Sequence, residues 1–182
     1  MKSSENLLMV ADSEHDANML YAVGMFVPDP FIYLRLRGRS SIVLSDLEID
    51  RARRDAPHCR PLPLSRCQDR LRKAGVKSPG HAQVIASLLR ERRIRRVLVP
   101  PNFPLGLAHE LKRLRIAVRP TRGNFFPQRE QKTPAEVKKI SAALMMAEVG
   151  MSEAMQVLRS AKIGRDRRLL HHQRLLARDS GR

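Results

Sequence analysis

Six histidines and two cysteines are the residues of this 182-residue chain from which chemistry could most directly be built. His15, His58, His81, His109, His171 and His172 have no ligand-like spacing from one another. His109-Glu110 could open a zinc-binding helix, but the second His that such a helix needs four residues on is absent. Cys59 and Cys67 lack the short paired spacing of a zinc site, and nothing points to secretion, so both are expected to be ordinary reduced thiols. A thiol nucleophile would need a base beside it. His58 adjoins Cys59, yet neighbours along an extended strand point to opposite faces. No glycine-rich phosphate loop is present, since Gly38, Gly75, Gly80, Gly106 and Gly123 stand singly. A dinuclear metal site needs several convergent carboxylates and histidines, and the segments expected to be sheet contain almost none. The expectation is therefore no catalytic, cofactor-binding or metal-ligating residue in this chain.

Charge is the next candidate. Lys and Arg outnumber Asp and Glu by 35 to 18, a formal net charge of +17, which raises nucleic acid as a partner. The excess is spread along the chain, as in Arg35/Arg37/Arg39, Arg51/Arg53/Arg54 and Arg119/Arg122. Only "RERRIRR" at 90–96 and the tail from Gly164 are dense. A solvated basic surface is the expectation, with no specific nucleic-acid partner. The alternative is a basic binding or regulatory module that uses Arg165, Arg167, Arg168 and Arg174 on nucleic acid. The shortage of stacking aromatics near these arginines weakens a single-strand version. "HHQ" at 171–173 reads as solvated side chains of an arginine-rich helix.

Around such residues the chain must build a core. Apolar residues make up 42%, aromatics only 4% with no Trp, so the core is aliphatic. The start, "MKSSENLLMVADSEHD", turns acidic too soon for a signal peptide, and no apolar run approaches bilayer length. A soluble, cytoplasmic protein without membrane association is expected.

The elements follow from periodicity. Leu7 to Ala11 reads as a buried strand ending at Asp12-Ser13, and "HDANMLYAVG" as a short helix stopping at Gly24. "FIYLRLRGRSSIVLSD" alternates, with Ile32, Leu34 and Leu36 on one face and Tyr33, Arg35 and Arg37 on the other. This is a hairpin turning at Gly38 with one side on a core. "DLEIDRARRDA" is a polar helix capped by Ser45 or Asp46, and the prolines of "HCRPLPLS" confine any strand there to an edge. From Ser78 the period is helical, with Ala82, Ile85, Ala86 and Leu89 in one stripe. "RRVLVPP", "PLGLAHELKRL" and "IAVRP" then read strand, helix, strand. This rhythm predicts a three-layer α/β domain with a mixed sheet flanked by helices and parallel neighbours in its second half. That unit closes near Arg122-Gly123, and its boundary is placed at residues 1–127.

A linker and one or two helices fill 128–182. Thr133 as N-cap, Pro134 at N1 and Glu136 at N3 form a capping box. Val137, Ile140, Leu144, Ala147, Met151, Ala154 and Leu158 follow as one apolar stripe, opposite Lys138, Glu148 and Gln156. Such a stripe is built to be core, but the first unit already has helices enough to cover its sheet.

Three features in order resemble one family. "ANMLYAVG" at 17–24 is similar to the Asn-x-x-Tyr-x-x-Gly segment after the first strand of the N-terminal domain of creatinase, prolidase and aminopeptidase P. The hairpin and strand–helix–strand units come next, as in that domain. "REQKTPAEVKKISAA" then resembles the Arg-x-x-Lys-[Thr/Ser]-x-x-Glu junction where the family's pita-bread catalytic domain begins, with Arg129, Lys132 and Glu136 matching position for position. The resemblance implies a creatinase N-terminal-like domain that catalyses nothing. Its role in the parent enzyme is to support dimerisation and close the active-site entrance. The two divalent metal ions of the parent, its Xaa–Pro or amide hydrolysis, and their Asp, His and Glu ligands belong to the catalytic domain. The sequence is expected to stop before them, as a truncated metallopeptidase. "IGRDRRLL" departs from the Gly-x-Thr-Glu segment usual after the first helix. The expected partners are a second copy of the chain or the missing catalytic domain.

Overall fold

The computed structural model describes residues 5–164, 168–171 and 174–175. The chain divides into two compact units, Met1–Arg129 and Glu130–Arg182. In the first, six strands form one sheet: β1 (Leu7–Ala11), β2 (Phe31–Leu36), β3 (Arg39–Leu44), β4 (Cys59–Pro63), β5 (Arg96–Val99) and β6 (Ala117–Pro120). Their order is β4-β3-β2-β1-β5-β6. Strand β2 runs antiparallel to β1 and β3, while the pairs β3/β4, β1/β5 and β5/β6 are parallel. The sheet is mixed, and every strand except β2 points the same way.

Helices cover both faces. α1 (Ala17–Val23) and α2 (Ile49–Asp55) pack with Leu7, Met9, Phe31, Tyr33 and Ile42. α3 (Leu64–Lys73), α4 (His81–Glu91) and α5 (Leu105–Arg113) pack with Leu8, Ile32, Leu34, Val43 and Val97 on the opposite face. The predicted α4 stripe of Ala82, Ile85, Ala86 and Leu89 is buried there. This is the three-layer α/β arrangement that the strand–helix–strand rhythm predicts.

Three local expectations need correction. The β2–β3 hairpin is buried on both faces, because Phe31 and Tyr33 meet α1 and α2 while Ile32 and Leu34 meet the other helices. A tyrosine with its hydroxyl bonded to Ser40 Oγ (3.0 Å) can enter a core, which simple polar–apolar alternation does not register. Neither Ser45 nor Asp46 caps α2. A 3-10 turn at Asp46–Glu48 leads into it, and Asp46 Oδ1 instead accepts from Ser65 Oγ at 2.8 Å. Helix α3 has no counterpart in the sequence reading, since its inward side carries only Leu64, Cys67 and Leu71.

The first unit continues past the Arg122-Gly123 turn. Phe125 and Phe126 return to the core beside α1. The second unit holds α6 (Pro134–Ser160) and three short strands, β7 (Lys162–Ile163), β8 (Leu169–His171) and β9 (Arg174–Leu175), in an antiparallel ribbon. Of the one or two helices expected after the linker, α6 is the one found among the described residues; 169–171 and 174–175, expected in an arginine-rich helix, pair their backbone groups between strands instead. Residues 172–173 lie outside the described part, as do Arg165 and Arg167. No helix among the described residues is long and apolar enough to cross a membrane.

Candidate functional site

The site is built where α1, the N-terminal ends of the strands and the end of the first unit meet. Asp16 starts α1 by accepting from the backbone N–H groups of Asn18 (2.9 Å) and Met19 (2.8 Å), satisfying two donors that have no partner within the helix. Its second carboxylate oxygen accepts from Asn102 Nδ2 at 2.9 Å. Gly24 ends the helix at φ 77°, a left-handed cap that glycine adopts without a Cβ penalty. On the exposed turns of this helix, Asn18 Oδ1 accepts from Arg129 Nη1 at 2.7 Å, across 111 residues of sequence. Tyr21 packs its ring 5.5 Å from that of Phe126. The Asn-x-x-Tyr-x-x-Gly segment and the arginine of the junction motif are therefore in direct contact. Sequence spacing gives no hint of that contact.

Beside this contact opens a cleft of about 1250 Å³. Tyr21, Tyr33 and Phe126 form its aromatic side, and Arg35 lies over the Phe126 ring, its guanidinium carbon 5.9 Å from the centroid. Arg37, Arg39, Arg60 and Arg92 also line it, with Ser40, His58 and Gln128 among the other polar residues, and no carboxylate contributes. Burial pushes the Tyr33 phenol above its ordinary value, opposed by the Ser40 hydrogen bond, so it stays protonated in this cationic surrounding.

The residues singled out as possible nucleophile and base behave differently from the expectation of opposite faces. His58 precedes β4 in a turn, and its Nε2 donates to the Ala22 carbonyl at 3.0 Å. Cys59 Sγ approaches the same carbonyl at 3.8 Å. They share a side, but His58 is engaged with the backbone. Burial pushes the Cys59 thiol up to about 11, far from the thiolate that a nucleophile requires. Cys67 lies in the core across the sheet, its thiol also pushed up by burial. Both cysteines are free. His81, half-buried at the start of α4, is held below its ordinary value by desolvation. Among the described residues no three His, Cys, Asp or Glu side chains converge as a metal site.

The arrangement can bind anions and hold the end of the first unit against α1. The cleft arginines were visible in the sequence as a dispersed excess. Their convergence on one end of the sheet was not.

No family model matches the sequence, and no curated protein matches it. Solved structures do. The chain superposes on an Xaa-Pro dipeptidase from Bacillus anthracis with a TM-score of 0.65 and 14% identity, covering 84% of this chain and 38% of that one. An X-Pro aminopeptidase from Thermotoga maritima gives a TM-score of 0.67 and 14% identity, over 89% and 43% of the two chains. The prolidase from Pyrococcus furiosus gives 0.58 and 13%, over 90% and 42%. The chain spans about two fifths of the length of each of these proteins. With its mixed sheet between two helical layers, it has the fold of the matching part of the Xaa-Pro dipeptidases, aminopeptidases and prolidases.

Proposed function

We propose that this chain serves as the non-catalytic, creatinase N-terminal-like domain of an Xaa-Pro peptidase-like metallohydrolase, working in the cytoplasm. It would support dimerisation and close the entrance to an active site whose two divalent ions and ligands are supplied by a catalytic portion. The substrate class is short peptides with an Xaa–Pro bond, or a related small amide.

The observation that carries this reading is α6. Its capping box starts a 27-residue helix of which no residue is buried, leaving Leu144 58% and Met146 76% exposed. Burying one Leu or Met side chain contributes about 1.5–3 kcal/mol, so a helix with several exposed favours a partner. The shared fold, over about two fifths of the neighbours' length, supports the same assignment.

The test is to assay the chain with Xaa–Pro dipeptides and tripeptides in the presence of Mn²⁺, Co²⁺ or Zn²⁺, and to titrate each metal calorimetrically. No hydrolysis and no tightly held pair of ions is the expected outcome. Turnover, or two ions bound tightly, would overturn the assignment.

A further inference from the structure

We propose that the arginine-lined end of the sheet is a nucleic-acid-binding surface that holds the sugar–phosphate backbone. Because β2 alone runs opposite to its neighbours, its C-terminal end shares one edge with the N-terminal ends of the other strands. That edge receives Arg37 and Arg39 from the β2–β3 turn and Arg60 from β4. It also receives Arg92, Arg93, Arg95 and Arg96 from the α4–β5 connection, and Arg115 from the α5–β6 connection. Beside the main cleft lies a shallower depression of about 610 Å³, lined by Arg37, Arg93, Arg95, Arg96 and Arg115 with Asn6, Ile94 and Ala117. Arg37 lines both, so the two form one continuous basic track. Neither depression has a carboxylate in its lining.

Three further observations describe this track. None of its eight arginines is ion-paired among the described residues, as also holds for Arg66, Arg90, Arg113, Arg119 and Arg122, whereas Arg51, Arg53, Arg54, Arg70 and Arg72 of α2 and α3 each have a carboxylate within 4 Å. The loops carrying them are tied together. Arg37 Nη2 donates to the Arg92 carbonyl at 3.1 Å, the Arg37 N–H to Asn6 Oδ1 at 3.2 Å, and the Ala117 N–H to the Arg95 carbonyl at 2.8 Å. The backbone also adopts strained positions to carry the charge. The three non-glycine residues with positive φ among those described are Arg37 (51°), Arg93 (57°) and Arg115 (62°), one in each turn of this edge. Helices α3, α4 and α5 end in the same hydrogen-bonded turn, and at the equivalent position α3 has Gly75, the residue that suits it. A helix C-terminus favours a nearby cation, which accounts for part of the placement of Arg93 and Arg115. It accounts for none of Arg37, which sits in a hairpin turn.

An extended row of guanidinium groups with no carboxylate partner among the described residues suits a repeating phosphodiester better than a single small anion, which needs convergent donors. The contacts are with phosphate, so binding should be indifferent to sequence and steep in salt. This goes beyond the role proposed above and is independent of it.

The experiment is fluorescence anisotropy of labelled RNA and DNA oligonucleotides, single- and double-stranded, across a salt series. The test variant is the triple substitution Arg37→Asn, Arg93→Gly, Arg115→Gly. It removes three charges while placing at each turn a residue that tolerates positive φ, so its melting temperature should be equal to or above that of the parent. We expect its affinity to fall roughly tenfold or more, and its salt slope to become shallower by about 3, one for each lost phosphate contact. A control with Arg165, Arg167, Arg168 and Arg174 changed to Gln should bind like the parent. Three outcomes overturn the proposal: unaltered binding by the triple variant, loss of binding in the tail control alone, or equal competition by a polyglutamate peptide of matched charge. The last would assign the surface to an acidic protein.

Discussion

Ser13 has a fully buried hydroxyl in the connection that follows β1. It donates to the Met25 carbonyl at 2.8 Å and accepts from the Val27 N–H at 2.7 Å, while the Ser13 N–H donates to the Val27 carbonyl at 3.0 Å. One side chain thus closes the loop that brings α1 back to the sheet. Ser13→Ala leaves a buried N–H and a buried carbonyl without this partner, which should cost about 1–3 kcal/mol. The denaturant midpoint should fall with an unchanged m-value; a midpoint equal to that of the parent would show that other groups satisfy both atoms. In the sequence, Ser13 marked only the end of a strand. Its role depends on residues 12 and 14 positions away, and no local pattern encodes that pairing. The Asn18–Arg129 hydrogen bond was out of reach for the same reason, although each residue lies in a segment that stood out by itself.

Helix α6 is the element whose start was most legible. Thr133 and Glu136 make the reciprocal bonds of the capping box: Glu136 Oε2 accepts from the Thr133 N–H at 2.8 Å, and Thr133 Oγ1 accepts from the Glu136 N–H at 3.3 Å. Both partners lie within four residues, so their types and spacing suffice. The Thr133 backbone N–H, followed by its hydroxyl, holds the Glu136 carboxyl below its ordinary value. A depressed folded value means that the ionised box stabilises the helix above the unfolded carboxyl value and that this contribution is lost as pH falls through the folded one. Amide exchange at Glu136 and Val137 should therefore lose protection on acidification, and Glu136→Gln should remove this pH dependence. Persistence of the dependence in the Gln variant would place its origin elsewhere. Helix α3 is the opposite case. Pro61 and Pro63 mark an extended approach, three apolar residues are too few to declare a stripe, and the helix is held by packing against α4 and β4.

At the scale of the whole molecule, charge and apolar surface are unevenly distributed. The apolar side chains of α6, including Val137, Ile140, Val149 and Met151, are exposed. The chain should therefore self-associate as its concentration rises, and Leu144→Glu with Met151→Glu should shift its sedimentation toward the single chain. A monomer at all concentrations would argue that this face is not adhesive. The +17 net charge was plain from composition, but its placement was not. Arg35 and Arg37 looked like one face of an alternating strand, Arg39 like part of a dispersed excess, and 90–96 like a dense basic run on a solvated surface. Reversal of one strand brings both segments to the same edge of the sheet.

The sequence by itself determined the elements whose signals are local: the hairpin of β2 and β3, the stripe of α4, the glycine cap of α1, the capping box of α6, and the α/β class that their order implies. Each depends on residues within one or two turns of the chain, where spacing and side-chain type carry the physics. Only the tertiary structure decided that both faces of the hairpin are covered, that Asn18 meets Arg129, that 169–171 and 174–175 pair as strands, and that dispersed arginines converge on one end of the sheet. These depend on strand order and direction, which are set by packing among residues distant in sequence and leave no periodic mark on the chain.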